Sequence, residues 1–285
     1  MGLDLATLAL AVLPVLVLGG LFLLADRARP EPSHTVGITM ALGIASCVPV
    51  ALAELSLRAA LGPRVHLAGR FLDAFLVAAF IEEVAKLGVV LAYPWRKPAF
   101  DEVMDGVLYT AAAGLGFGLL ENLLYLNYTV ARAFSVIPGM PEATPLPDGR
   151  TAIVLALVRA FSAVPMHALA SGLMGYCIGR ARFADVLHTS EAFRDALDRL
   201  PAWLPRSVAW CALGLFFAVA VHGSYDWVLF ALGADREVLL AAPGILLLAA
   251  VALHRSMRRA LELDEALRGA RRSSVLILQR PPEVS

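Results

Sequence analysis

The chain has 285 residues, of which 59% are hydrophobic and 17% charged, and its formal net charge is zero. Its mean hydropathy of +0.72 lies outside the range of soluble globular proteins and predicts a polytopic membrane protein. The net charge of zero says nothing about nucleic acid, and no nucleic-acid partner is expected. The three cysteines all fall inside apolar runs, which argues against a disulfide framework or a thiolate metal site: Cys47, Cys177 and Cys211.

Seven apolar runs are long enough to cross a bilayer, which takes about 20 residues of helix. We therefore expect an all-α bundle of about seven transmembrane helices, or eight if residues 58–69 contain a re-entrant element. The first run opens with Asp4 and continues too far for a cleaved signal peptide, so it is expected to remain as a helix. The runs are 4–25, 35–57, 70–93, 103–128, 151–178, 207–232 and 237–254.

The distribution of Lys and Arg predicts the orientation of the chain in the cell membrane. Alternate connections and the segment after residue 254 carry about 16 of these residues, against about 6 on the other side. The N-terminus is therefore expected outside and the C-terminus in the cytoplasm. Residues 1–254 are expected to form one membrane-embedded domain, and residues 255–285 a basic cytoplasmic tail that could touch anionic lipid.

Ionisable residues inside the predicted spans are concentrated on four of the seven. A charge at mid-bilayer costs about 2.5–3.5 kcal/mol on insertion scales, so such residues normally face a bundle interior or water. From the helical rise and the span boundaries, Glu82, Glu121, His167 and His222 lie deep in the bilayer, where they could converge on one cavity. The ionisable residues are Glu82, Glu83 and Lys86 in the third span, Glu121 in the fourth, Arg159 and His167 in the fifth, and His222 and Asp226 in the sixth, and the polar Asn122 follows Glu121.

The spacing of these residues predicts specific pairs. Lys86 lies three and four residues after the two glutamates, so it can neutralise at least one of them on its own helix face. His222 and Asp226 are four residues apart, which suits an imidazole oriented by a carboxylate. Two adjacent carboxylates in a low-dielectric cavity should not both ionise freely, so one should be able to take a proton from water.

Structural roles compete with chemical ones at several positions. Lys86 is expected to neutralise the glutamates, and Arg159 to act as a counter-charge that could also hold a substrate carboxylate. Asn122 could bridge helices or touch substrate. Small residues in 111–118 and at Gly172, Gly175 and Gly179 are expected to allow close helix packing.

Four motifs on successive spans resemble, in order and spacing, those of the PrsW family of intramembrane proteases, which shares a superfamily with the CAAX prenyl proteases. They are "EEVAK" at 82–86, "FGLLEN" at 117–122, "HALAS" at 167–171 and "HGSYD" at 222–226. The resemblance covers about residues 70–230 and implies a catalytic core at about 70–232. Glu121 stands where the CAAX branch has the histidine of FxxxH, and Ser171 where it has the last residue of HxxxN, which argues against a prenyl-protein substrate.

The resemblance implies a membrane endopeptidase that cuts a single-span substrate, for example an anti-sigma factor. It implies catalytic roles for Glu82, Glu83 and His167, with Glu121 and His222 as further motif positions. Which glutamate is the base stays open, as does the choice between water activated by glutamate alone and a Zn²⁺ or other divalent metal site. HExxH is missing, but neighbouring spans could supply the metal ligands. The candidate ligands are His167, His222, Glu82, Glu83 and Glu121.

A proton- or cation-coupled transporter is the alternative from another class, because the same Glu, His and Asp residues could form a relay. The two halves of the chain show no repeated motif, whereas many transporters are built from internal repeats. A protease that uses the paired glutamates with histidine assistance is therefore the favoured interpretation.

Overall fold

Helices account for every regular element in the computed structural model, which describes residues 2–62, 66–137, 140, 149–184, 187, 204–232 and 238–278. A π-helical segment, Asp73–Ala79, joins α3 to α4 without a break, and a short 3₁₀ turn, Pro94–Arg96, follows α4. The helices are α1 Gly2–Ala25, α2 Ser33–Leu61, α3 Leu67–Leu72, α4 Phe80–Ala92, α5 Val103–Leu126, α6 Tyr128–Phe134, α7 Gly149–Phe161, α8 Ala163–Arg182, α9 Arg206–Leu232 and α10 Val238–Leu278.

Six stretches of these helices are long and apolar enough to cross a membrane. The continuous helix 67–92 is long enough to add a seventh, although its apolar character is interrupted by Glu82, Glu83 and Lys86. The prediction of a polytopic all-α bundle is confirmed. The six are Leu5–Ala25, Ser33–Leu61, Val103–Leu126, Arg150–Arg182, Arg206–Leu232 and Leu240–Gly269.

The connection at 58–69, where a re-entrant element was considered, lies partly outside the described residues. Helix α2 continues to Leu61 and ends at Gly62, whose positive φ of 70° favours glycine. Helix α3 then begins at Leu67. The described part of this connection thus belongs to the ends of two helices.

The fifth predicted span, 151–178, is divided into two helices. Helix α7 ends at Phe161, Ser162 has non-helical φ and ψ of −128° and −64°, and α8 begins at Ala163. Pro165 explains the break, because its ring would clash with the carbonyl of Phe161 in a continuous helix. The hydroxyl of Ser162 accepts a hydrogen bond from Tyr225 at 2.7 Å, which ties the break to α9.

Helix α5 lies at the centre of the bundle, and 94% of its most apolar 18-residue stretch is buried. Its small residues let neighbouring backbones approach closely. A Cβ at Gly175 would lie 2.7 Å from Val107 Cα, and one at Gly179 would lie 2.9 Å from Val103 Cα. The predicted packing role of the small residues is therefore confirmed for the contact between α5 and α8.

The last helix runs from the final span into the segment predicted as a tail. Ala260, Leu263 and Leu267 are buried against the bundle. The Asp264 carboxylate accepts hydrogen bonds from the backbone N–H groups of Val103 at 2.6 Å and Met104 at 3.1 Å. These are orphan donors at the start of α5, so this segment caps the central helix.

Candidate active site

The ionisable residues predicted to converge do so in one cluster between α4, α5, α7, α8 and α9. Glu82, Glu83, His167 and His222 are all at least 94% buried, and each offers one ligand atom within 4.8 Å of the others. Their convergence places a polar centre inside a bundle of apolar helices. Around them lie the remaining predicted positions: Lys86, Glu121, Asn122, Arg159 and Asp226.

Lys86 occupies the middle of this cluster and is fully buried. Its Nζ lies 2.7 Å from Glu83 Oε1, 3.1 Å from Glu82 Oε2 and 3.0 Å from His167 Nδ1. The ammonium also lies 4.5 Å from the centre of the Phe117 ring, within cation–π range. The lysine therefore pairs with both glutamates, as its three- and four-residue spacing predicts, and carries the contact across to α8.

The hydrogen bonds of His167 determine which nitrogen carries its proton. An ammonium can only donate, so Nδ1 must accept from Lys86. The proton then lies on Nε2, which donates to Glu121 Oε2 at 2.7 Å. His167 is thus a neutral imidazole held in one tautomer by an amine on one side and a carboxylate on the other.

His222 lies between two carboxylates. Its Nδ1 is 2.8 Å from Glu83 Oε1, and its Nε2 is 3.3 Å from Asp226 Oδ2, which confirms the predicted contact across one helical turn. An imidazole donates from both nitrogens only when it is protonated. The His222 and His167 rings meet nearly at right angles, with centroids 5.2 Å apart.

Arg159 and Asn122 form the outer side of the cluster. The Arg159 guanidinium lies 3.3 Å from Glu121 Oε2, and its Nε donates to Asn122 Oδ1 at 2.6 Å. It also stacks on Tyr125, with 4.1 Å from Cζ to the ring centroid. Arg159 therefore lies beside Glu121 as a cationic partner, and its bond to Asn122 bridges α5 and α7.

The π-helical segment before α4 was not predicted. A π-helical turn holds more residues than an α-helical one, so it rotates the helix that follows. Phe75, in this segment, packs against Gly223, where a Cβ would clash with the ring. Gly223 directly follows His222, so this contact sets the approach of the π segment to the helix that carries His222.

Three residues that contact or lie close to the site had no predicted role. Phe117 lies under Lys86, Tyr125 lies under Arg159, and Glu54 on α2 is close enough to Glu82 and Glu121 for electrostatic interaction. Phe117 and Tyr125 lie four residues on either side of Glu121, which places all three on one helix face. That spacing is the signal that could have identified the two aromatic residues.

The donors of the cluster fit a divalent metal in type and separation. Two carboxylates and two imidazoles form an N/O set of the kind that binds zinc, and Glu83 Oε2 is buried without a hydrogen-bond partner. Each histidine directs its Nε2 to a further carboxylate, as metal-binding histidines commonly do. Lys86 makes contacts with three of the same donors, so its ammonium lies where cationic charge is needed.

Comparison with known proteins gives a consistent result. The model of a family described as PrsW family intramembrane metalloprotease matches residues 31–254. The chain is 30% identical over 229 residues to Protease PrsW of Bacillus subtilis, covering 80% of this chain and 84% of the relative. It is 31% identical over 220 residues to Protease PrsW of Geobacillus kaustophilus, covering 77% and 78% of the two chains. No solved structure matches the chain.

Proposed function

The chain belongs to the PrsW family of intramembrane metalloproteases, and we propose that it hydrolyses peptide bonds with water activated at the cluster of Glu82, Glu83, His167 and His222. The family makes it a multi-pass membrane peptidase that acts on membrane proteins. The observation that carries the proposed site is the convergence of these four side chains within 4.8 Å inside the bundle. The transporter alternative has no comparable support among the relatives.

Glu82 is the proposed general base. Its carboxylate is 6% exposed and has one close cationic partner, Lys86 at 3.1 Å, so it retains capacity to accept a proton from water. Glu83 is fully buried, and its Oε1 is shared by Lys86 and His222. This sharing suits a residue that positions the lysine and the histidine rather than one that exchanges protons with water.

The two histidines have different proposed roles. His222, bonded to carboxylates at both nitrogens, is positioned to deliver a proton to the leaving amine. His167, held neutral between Lys86 and Glu121, is the proposed metal ligand or oxyanion donor. Asp226 and Glu121 orient the two rings, and Arg159 balances the charge of Glu121.

In the alternative, metal-dependent form of this proposal, a divalent metal, with Zn²⁺ as the first candidate, would bind His167, His222, Glu82 and Glu83, with Glu121 as an outer partner. His222 would then bind in its neutral form and Glu82 as a ligand, in place of their roles as proton donor and base. When bound, the metal would act as a Lewis acid toward the scissile carbonyl and the attacking water. Lys86 would then give up hydrogen bonds to these donors. The residues themselves supply the tautomer of His167, the orientation of His222 and the exclusion of bulk water.

The proposed substrate is a single-span membrane protein, for example an anti-sigma factor, which would reach the cluster within the bilayer.

We propose that the catalytic core is about 70–232 within the membrane domain 1–254, and that 255–285 is cytoplasmic. The N-terminus would lie outside, in agreement with the distribution of Lys and Arg. Protease accessibility of a tag at each terminus in sealed vesicles of known orientation tests this topology. Cleavage of the N-terminal tag from the cytoplasmic side, or of the C-terminal tag from the outer side, would contradict it.

The purified protein in detergent is expected to cleave at least one member of a panel of single-span peptides that includes an anti-sigma segment. Elemental analysis should find about one Zn²⁺ or other transition-metal ion per chain, and chelation should remove cleavage until that metal is restored. The Glu82→Gln/His167→Ala variant should lose both metal and cleavage. Cleavage by metal-free protein would assign the water activation to the glutamates alone, and proton-driven uptake without any cleavage would favour a transporter.

Gly118→Ala is expected to lower kcat/KM by about 10–100-fold, because small displacements of catalytic groups have effects of this size. A Cβ at this position on α5 would lie 2.6 Å from Cδ2 of the His167 ring, which has little room to move. The matched control is Gly88→Ala on α4, where a Cβ meets nothing within 4 Å. Equal activities of the two variants, measured on one peptide, would show that the close approach at Gly118 does not position His167.

A further inference from the structure

A second group of carboxylates lies away from the proposed active site, where the connection between α1 and α2 meets the first turn of α5. Asp26 and Asp105 are 2% and 0% exposed, and Glu31 is half-buried. Each offers one carboxylate oxygen within 4.8 Å of the others. Asp105 precedes Glu121 by 16 residues on α5, which separates the two sites by about 24 Å along the helix.

Two oxygens of this group are buried without a hydrogen-bond partner. They are Oδ2 of Asp26 and Oδ1 of Asp105. The other oxygen of Asp105 accepts from the backbone N–H groups of Asp101 at 2.7 Å and Glu102 at 2.6 Å, which fixes the orientation of this carboxylate. Buried acceptors without donors are costly, so both atoms can take a proton or a positively charged partner.

The cations near this group are already engaged. Arg29 donates to Glu102 at 2.7 Å and to Asp101 at 3.1 Å. Arg268 lies 3.8 Å from Glu102. In the part of the chain that the structure describes, three carboxylates therefore share one space without a cation bonded to any of them.

We propose that Asp26, Glu31 and Asp105 bind a hard divalent cation, Ca²⁺ or Mg²⁺. The ligands are all oxygens, which these ions prefer, and the group contains none of the nitrogen or sulfur donors that favour zinc. Oxygens on opposite sides of Ca²⁺ are about 4.6–5.2 Å apart, and those around Mg²⁺ about 4.0–4.2 Å. Three oxygens that all lie within 4.8 Å of one another can therefore bind either ion.

The cation links the N-terminal helix pair to the central helix. Asp26 and Glu31 come from the connection between α1 and α2, and Asp105 from α5, whose other end carries Glu121. The hydroxyl of Tyr109, one turn along α5, donates to Glu31 and orients that carboxylate. A ligand that binds only the folded state stabilises it by mass action, so the fold becomes sensitive to this ion.

The test uses the full-length protein in detergent in a Glu82→Gln/His167→Ala background, which removes donors of the proposed active-site metal. Saturating Ca²⁺ or Mg²⁺ is expected to raise Tm by about 5 °C. Bound Tb³⁺, which takes the same oxygen ligands, should emit on excitation of Tyr109, and Ca²⁺ or Mg²⁺ should displace it. The ion that displaces Tb³⁺ at the lower concentration is the preferred ligand of the site.

Variants locate the site. Asp26→Asn should weaken Tb³⁺ binding at least 10-fold, and Tyr109→Phe should lower the sensitised emission. Glu262→Gln, an exposed carboxylate bonded to Arg259, is the matched control and should change neither readout. Asp105→Asn removes a cap of α5. If the Asp105→Asn variant does not fold, Asp26→Asn decides the outcome.

Absence of both Tb³⁺ emission and a cation-dependent Tm shift at millimolar Ca²⁺ and Mg²⁺ would overturn the proposal, and so would an unchanged response in Asp26→Asn. Because the background variant lacks two of the four donors of the proposed catalytic metal, failure here leaves the protease assignment untouched. If no metal is found at the proposed active site, the test of the carboxylate site is likewise unchanged.

Discussion

Glu82→Gln is expected to lower kcat/KM by about 10³-fold or more. An amide of nearly the same shape cannot accept a proton from water, and general-base catalysis typically contributes about 10²–10⁴-fold. The amide oxygen can still accept the hydrogen bond from Lys86, which lies 3.1 Å from Glu82 Oε2, so the bundle should stay folded. The measurement is cleavage of one single-span peptide by wild type and variant at matched concentration.

Glu262→Gln is the matched control for this substitution, because the same chemical change is made at a carboxylate with 58% exposure. It should leave kcat/KM within twofold of the wild type. Glu83→Gln should also lower cleavage, together with a loss of stability, because Glu83 is shared by Lys86 and His222. A Glu82→Gln enzyme that retained a tenth of the wild-type rate would exclude Glu82 as the base.

Lys86→Met is expected to destabilise the folded protein by about 3–5 kcal/mol, because removing one partner of a buried ion pair leaves uncompensated charge. Lys86 is fully buried and bonds Glu82 at 3.1 Å and Glu83 at 2.7 Å. Without it, two adjacent carboxylates face each other with only His222 to balance them. The free energy of unfolding in mild detergent and denaturant measures the effect.

Two further variants separate charge from packing at this position. Lys86→Met/Glu83→Gln should recover part of the lost stability, because one of the two carboxylates is then neutral. Lys97→Met removes a lysine that stacks on Tyr93 near the end of α4 and should cost less than about 1 kcal/mol. A loss at position 86 no larger than at 97 would mean that the ammonium does not hold the cluster together.

The two proposed ion sites share the central helix. Helix α5 carries Asp105 near its start and Glu121 near its end, and α8 packs along it through glycines. Asp264 and the capping interaction between Glu102 and Asp105 fix the start of the same helix. The geometry that holds Glu121 against His167 therefore depends on contacts made at both ends of α5.

The sequence by itself determined the class of the protein and the neighbours within each helix. Runs of about 20 apolar residues can cross a bilayer only as helices, because backbone groups must be satisfied internally there. Spacings of three and four residues then place side chains on one helix face, which predicted that Lys86 pairs with the glutamates and His222 with Asp226. Four motifs in order were enough to indicate the family.

Only the tertiary structure decided which faces meet. The contact of Lys86 with His167, the pairing of His222 with Glu83 and the capping of α5 by Asp264 each join residues more than 80 positions apart. Such contacts depend on the rotation of each helix about its axis and on the distance between neighbouring helices. The π-helical segment, the break before Pro165 and the glycine contacts determine this rotation and this distance, and local periodicity encodes none of them.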